Sequence, residues 1–175
     1  MKQSERLMLM SKNLNTWIDN SENVARAIFS PAMVDDTGKI TKAAFHLRHN
    51  EDYFSVSRMN VEGWMTDIKS IPTSNTRVPY GYSKMNVGEI RSLDVTYFDK
   101  PILFDVEDKS STRNKSHAGI SVSYDGNQLK GDKSILLKPL QELYPASMLL
   151  LKIQAQLTNL ANKNLVKWPA KDNEE

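Results

Sequence analysis

Apolar residues recur along this chain in two rhythms, every third or fourth position near the two ends and every second position between them. Leu7, Met8, Met10, Leu14, Trp17 and Ile18 keep the helical spacing in a stretch free of Gly and Pro, which predicts an amphipathic helix ended by Asn20 and Ser21. Near the other end, Leu136, Leu137, Leu140 and Leu143 predict a helix that Pro145 breaks. A further helix is expected from Pro145 to about Asn162, where Met148, Leu149, Ile153, Leu157, Leu160 and Ala161 form one wide stripe suited to packing across a sheet.

Between these ends the period is two. FSVSR sets Phe54, Val56 and Arg58 on one side of a strand and Ser55 and Ser57 on the other, so an arginine falls on the apolar side. Arg58 is therefore expected at a strand end or against a partner. HAGISVSY, residues 117–124, alternates in the same way, and the following Asp125 and Gly126 make the pair a hairpin with QL on its return. Val95 to Phe98 and Ile102 to Val106 flank DKP as a second hairpin or as two edge strands, and YGYSKM is a further strand.

Other segments are more open. ENVARAIF fits a helix capped by Ser21 or a strand running up to Pro31, and we read Arg26 to Phe29 as strand. ITKAAFHL is either a short helix opened by Thr41 or a strand. VEGWMTDIKSI is a helix interrupted by Gly63, and NVGEIRSLDV holds a short helix or a turn. DDTG, residues 35–38, is a solvated turn: its TGK lacks the spacing of a phosphate-binding loop, and its acids lack the further ligands of a calcium loop. Loops are expected at 72–79 and at 107–116, where EDKSSTRNKS has no apolar side chain. The sum is an α+β chain, residues 1–168 forming one domain with a mostly antiparallel sheet and packed N-terminal and C-terminal helices, and residues 169–175 a polar tail.

Composition narrows the function classes. With 175 residues, 39% hydrophobic and 25% charged, the chain can bury a core without disulfides or metals. A net charge of +2 is far from that of a committed nucleic-acid binder. The absence of cysteine excludes thiolate metal sites and cysteine nucleophiles. Glu5 interrupts the only apolar run near the start, and no apolar run approaches the ~20 residues of a membrane span, so a cytoplasmic, membrane-free protein is expected.

The progression Arg26, Pro31, Gly38, Ala44-Phe45 and Ser55-Val56, with His117-Ala118 later, resembles a group of short, uncharacterised bacterial proteins. The leucine usual before the Ser-Val pair is Phe54 here. The resemblance implies a family and no particular activity.

The candidate catalytic residues are His46, Arg48, His49, Arg58 and His117. Imidazoles titrate near neutrality and move protons, while guanidiniums grip phosphates and carboxylates in pairs of hydrogen bonds. If ITKAAFHLRH is a strand, His46 and Arg48 share a face; if it is a helix, His46 and His49 do. A basic residue on one strand, the serine-flanked strand FSVSR and a later acid also resemble the layout of ADP-ribosyltransfer folds, with Glu107 and Glu142 as available acids. No cofactor is implied, and three histidines without the H-E-x-x-H spacing make no zinc motif.

Three functions follow. The first is a binding or assembly component without its own catalysis, its eight methionines offering adaptable surfaces to another protein or a second copy. The second is a nucleotide- or phosphate-handling transferase or hydrolase built on the His and Arg cluster. The third is a weak nucleic-acid binder using Lys109, Arg113, Lys115 and Lys130, with Tyr124 as a stacking surface.

Overall fold

The computed structural model describes residues 17–48, 50–131 and 146–169. They form an α+β structure around one eight-stranded sheet in which every pairing is antiparallel. The strands are β1 (Asn23–Ser30), β2 (Phe54–Arg58), β3 (Val78–Asn86), β4 (Val95–Tyr97), β5 (Lys100–Asp108), β6 (His117–Tyr124), β7 (Asn127–Gln128) and β8 (Leu165–Lys167). Their order is β4-β5-β6-β2-β1-β3-β8, with β7 hairpinned onto β6. Helices α1 (Trp64–Lys69), α2 (Val87–Arg91) and α3 (Ala146–Asn162) and a 3-10 turn at Lys42–Phe45 complete it.

Alternation decides which side of the sheet is packed. Val24 and Ile28, Phe54 and Val56, Phe104 and Val106, and Ile120 and Val122 send their side chains to one face. There they meet the buried stripe of α3, Leu149, Ile153, Leu157 and Leu160, together with Phe45 of the 3-10 turn. Polar clamps fix this layer. Gln154 donates to the Phe45 carbonyl at 3.0 Å, and the Asn162 side chain accepts from the Ile40 amide at 2.9 Å while donating to the Ile40 carbonyl at 3.0 Å.

The opposite face is thinly covered. Its buried apolar residues are Ala25, Ala27, Phe29 and Ile68, with Trp64, Ile71 and Tyr82 packed beside them. Helix α1 closes part of it. Asp67 accepts from the Ser116 hydroxyl at 2.6 Å, which fastens α1 to the start of β6.

Several expectations change in three dimensions. The expected N-terminal helix lies outside the described residues except for Trp17 and Ile18, which are not helical; Trp17 instead bridges Glu107. The helix expected at 134–143 also lies outside the described residues. Met148 leaves the buried stripe and is 54% exposed. The loop expected at 107–116 begins later, because Glu107 and Asp108 extend β5 through pairs with Gly119 and Ala118. Ser116, within that loop, is fully buried.

β8 follows α3 and pairs with β3, a strand that three residues cannot announce by periodicity. Gly81 makes the pairing possible, since a Cβ there would lie 2.1 Å from the Val166 carbonyl oxygen. ITKAAFHL resolves into the 3-10 turn with Thr41 as its N-cap residue. Both hairpins form, the second on the expected Asp-Gly turn; the first turns at Phe98-Asp99 and not across DKP, since Lys100 and Pro101 of β5 already pair with Tyr97 and Thr96. Phe98 and Asp99 (φ 46° and 57°) and Asp125 and Gly126 (φ 50° and 78°) supply the paired positive φ values of a two-residue turn.

Candidate functional site

β1 and β2 pair at only two positions, Val24 with Arg58 and Ala25 with Ser57. Beyond them the strands part. β1 stays with β3 as far as Ser30, and β2 stays with β6 back to Phe54. A cavity of about 520 Å³ opens at this split, on the thinly covered face of the sheet. That volume lies within the ~300–1,000 Å³ of small-molecule sites.

Small residues make the hollow. Ala25 and Ala27 of β1 and Ser55 and Ser57 of β2 line it where larger side chains would fill it. Its outer walls come from two sources. His46, Arg48 and Glu51 follow the 3-10 turn, and Ile68, Ile71 and Arg77 belong to α1 and the segment after it. The Arg48 amide donates to the Glu51 carboxylate at 2.8 Å, so the two side chains stem from one tight turn.

Arg26 occupies the split itself. Its Nε and Nη2 donate to the Ala44 carbonyl at 3.0 and 2.8 Å, and its Nη1 donates to the Ser55 carbonyl. The guanidinium thus binds backbone oxygens that the parted strand and the 3-10 turn leave available. Burial, assisted by the like charges of Arg77 and Arg48, pushes its pKa down to about 10, while Glu51 acts in the opposite direction. Arg26 remains charged at neutral pH. Arg48 and Arg77 therefore share the cavity lining with Arg26 and repel it, with Glu51 as the carboxylate that attracts it. Arg77 also stacks over the Phe29 ring, 4.3 Å from its centroid.

His117 enters at the paired end of the split. It lies directly opposite Ser57 in the register of β2 and β6. The Arg58 amide bonds the Ser116 carbonyl at 2.7 Å, which makes the adjacent Ser57 and His117 the non-hydrogen-bonded kind of antiparallel pair, the kind whose side chains stand closer. The Tyr53 ring packs against the imidazole at 5.7 Å between centroids. Tyr53 is itself seated over Gly119, where a Cβ would come within 2.5 Å of the ring. Burial and the neighbouring Lys109 hold the imidazole below the ordinary histidine range, against a weaker opposite pull from Asp108.

Of the five residues predicted from the sequence, His46, Arg48 and His117 line the cavity and His49 lies outside the described residues. Arg58 does not belong to the site. It points to the other side of β2, where Glu22 takes two of its hydrogen bonds at 3.0 Å each and Asp108 a third at 2.9 Å. An arginine on an apolar strand face had to end among carboxylates, and the acids that receive it are distant in sequence. Arg26, Arg77 and Ser57 are the lining residues that pattern reading missed as site members. Arg26 had one signal, a cation inside the run ARAIF. Arg77 had none, standing in an apparently plain loop.

Other candidate surfaces fare differently. Tyr124 is buried, donating to the Tyr97 carbonyl at 2.7 Å, so it offers no stacking surface to a nucleic acid. Lys109 is paired with Glu107 at 2.8 Å. Glu107 lies outside the cavity, and Glu142 lies outside the described residues. Among the described residues no cluster of three His, Asp or Glu side chains is arranged for a metal, and no described helix is long and apolar enough to cross a membrane.

No family model, curated protein or solved structure matches this chain.

Proposed function

We propose that this chain is a nucleotide-binding protein whose cavity takes a phosphate-bearing molecule of nucleotide size. The observation that carries the reading is the convergence of Arg26, Arg48 and Arg77 on one cavity with an apolar wall. Three like charges held together are mutually destabilising, and an anion placed among them relieves the repulsion. Phe29, Ile71 and Arg77 provide a flat, partly apolar wall for a base, and His46 and Ser55 add polar groups near the mouth. This reading takes up the nucleotide- and phosphate-handling alternative and its His and Arg cluster in place of the protein-binding role expected first from the sequence.

A second reading, ADP-ribosyl transfer, has one specific observation in its favour. The arginine-bearing strand β1 and the serine-flanked strand β2, whose layout resembles that of ADP-ribosyltransfer folds, are neighbours that part over the cavity. Two acids line the cavity, Glu51 and Asp67, and since Asp67 already accepts from the Ser116 hydroxyl, Glu51 is the acid this reading uses.

Calorimetric titration with ADP, with nicotinamide dinucleotide and with inorganic phosphate tests both readings. Saturable ADP binding, weakened at least tenfold in Arg48→Glu and Arg77→Glu, is the expected result. Absence of binding, or binding indifferent to both substitutions, overturns the nucleotide reading. Release of nicotinamide from the dinucleotide, lost in Glu51→Gln, would select the transfer reaction.

A further inference from the structure

At the paired end of the cavity a hydroxyl faces an imidazole. Ser57 is 7% exposed and lines the cavity, and its hydroxyl has no hydrogen-bond partner among the described residues. His117 stands opposite it in a close cross-strand pair, with Tyr53 packed on the ring. Burial keeps the imidazole below the ordinary histidine range and therefore neutral at pH 7, the form that accepts a proton. Covalent catalysis needs a nucleophile within reach of a base, and this cross-strand pair places the two groups next to each other on one face of the sheet.

We propose that Ser57 and His117 act as nucleophile and base in the hydrolysis of a phosphomonoester bound in this cavity. The inference rests on the anion-binding reading above and adds a reaction to it. The Ser57 oxygen attacks phosphorus, His117 takes the hydroxyl proton, and the bond from phosphorus to the leaving oxygen breaks. His46, which lines the same cavity from beyond the 3-10 turn, gives its proton to that leaving oxygen, so an alcohol departs and a phosphoserine remains. Water then attacks the phosphoserine. His46 takes the proton of the water, His117 returns its proton to the Ser57 oxygen, and inorganic phosphate leaves. Both imidazoles end as they began, and no oxidant or further reactant is consumed. The guanidiniums of Arg48 and Arg77 stabilise the charge on the phosphoryl oxygens, and Arg26 adds its field from the split.

The test uses the full chain with p-nitrophenyl phosphate and with adenosine monophosphate, in EDTA to silence contaminating metal phosphatases. Turnover is expected, with a mass increase of one phosphoryl group on Ser57 after acid quench. Ser57→Ala and His117→Gln should each lower kcat by ~10²-fold or more. His46→Gln should slow adenosine monophosphate more than p-nitrophenyl phosphate, because nitrophenolate leaves without a proton. Absence of turnover from a chain that binds ADP overturns the catalytic proposal and leaves the binding reading intact. Turnover that survives in Ser57→Ala overturns it as well. A chain that neither binds ADP nor turns over refutes both.

Discussion

The two faces of the sheet are made by the same strands and are built differently. On one face β1 and β2 present Val24, Ile28, Phe54 and Val56, which pack under α3. On the other they present Ala25, Ala27, Ser55 and Ser57, which leave a hollow. Moving one residue along a strand changes the side chain from filling to permissive. The packed face holds the core of the fold, and the hollow face carries the polar side chains that line the cavity.

Phe45→Ala sharpens this contrast most. The ring is fully buried and meets Phe54 edge-on at 5.9 Å, so truncation should cost ~3–5 kcal/mol in urea unfolding. Ser57→Ala on the hollow face should cost no more than ~1 kcal/mol. Equal losses would mean that the hollow face is part of the core.

Arg58→Ala is expected to be intermediate. It strands Glu22 and Asp108, which are mostly sheltered from solvent, at a cost of about 1–3 kcal/mol. ADP affinity should not change, since the side chain lies away from the cavity. A matching loss of affinity would put Arg58 back in the site.

The smallest effect concerns pH. His117 faces Ser57 on β2 and packs against Tyr53, with Lys109 and Asp108 of the neighbouring β5 end as the charges that act on it. Its folded-state pKa lies below the ordinary 6.5, so the unfolded chain takes up the proton first. Stability is then intact above about pH 6.5 and declines as pH falls from there through the folded-state value. The chain carrying His117→Gln should lose less stability than the parent between about pH 7 and pH 5, as measured by unfolding midpoints. An identical loss in both would show that His117 is not held neutral by its half-buried place in the sheet.

Much of the fold was legible because its signals are local. The alternation in FSVSR and HAGISVSY, the Asp-Gly turn and the buried stripe of α3 each lie within a short window and appear where the pattern places them. The candidate site was legible in part. His46, Arg48 and His117 meet in one cavity, whereas Arg58 follows its strand to the opposite side. Nothing in the run from Pro72 to Pro79 marks Arg77 as a wall of that cavity, since the marking comes from Phe29 beneath it.

The sequence by itself determined the α+β class, the longer strands with their two unlike sides and the Asp-Gly turn, because side-chain periodicity and backbone preference act between near neighbours. Only the tertiary structure decided that β1 and β2 part after two pairs, that Arg26 fills the opening, and that Ser57 faces His117. Those outcomes depend on register and partner choice between segments far apart in the chain. They are settled by the packing of the whole sheet, and no local window contains it.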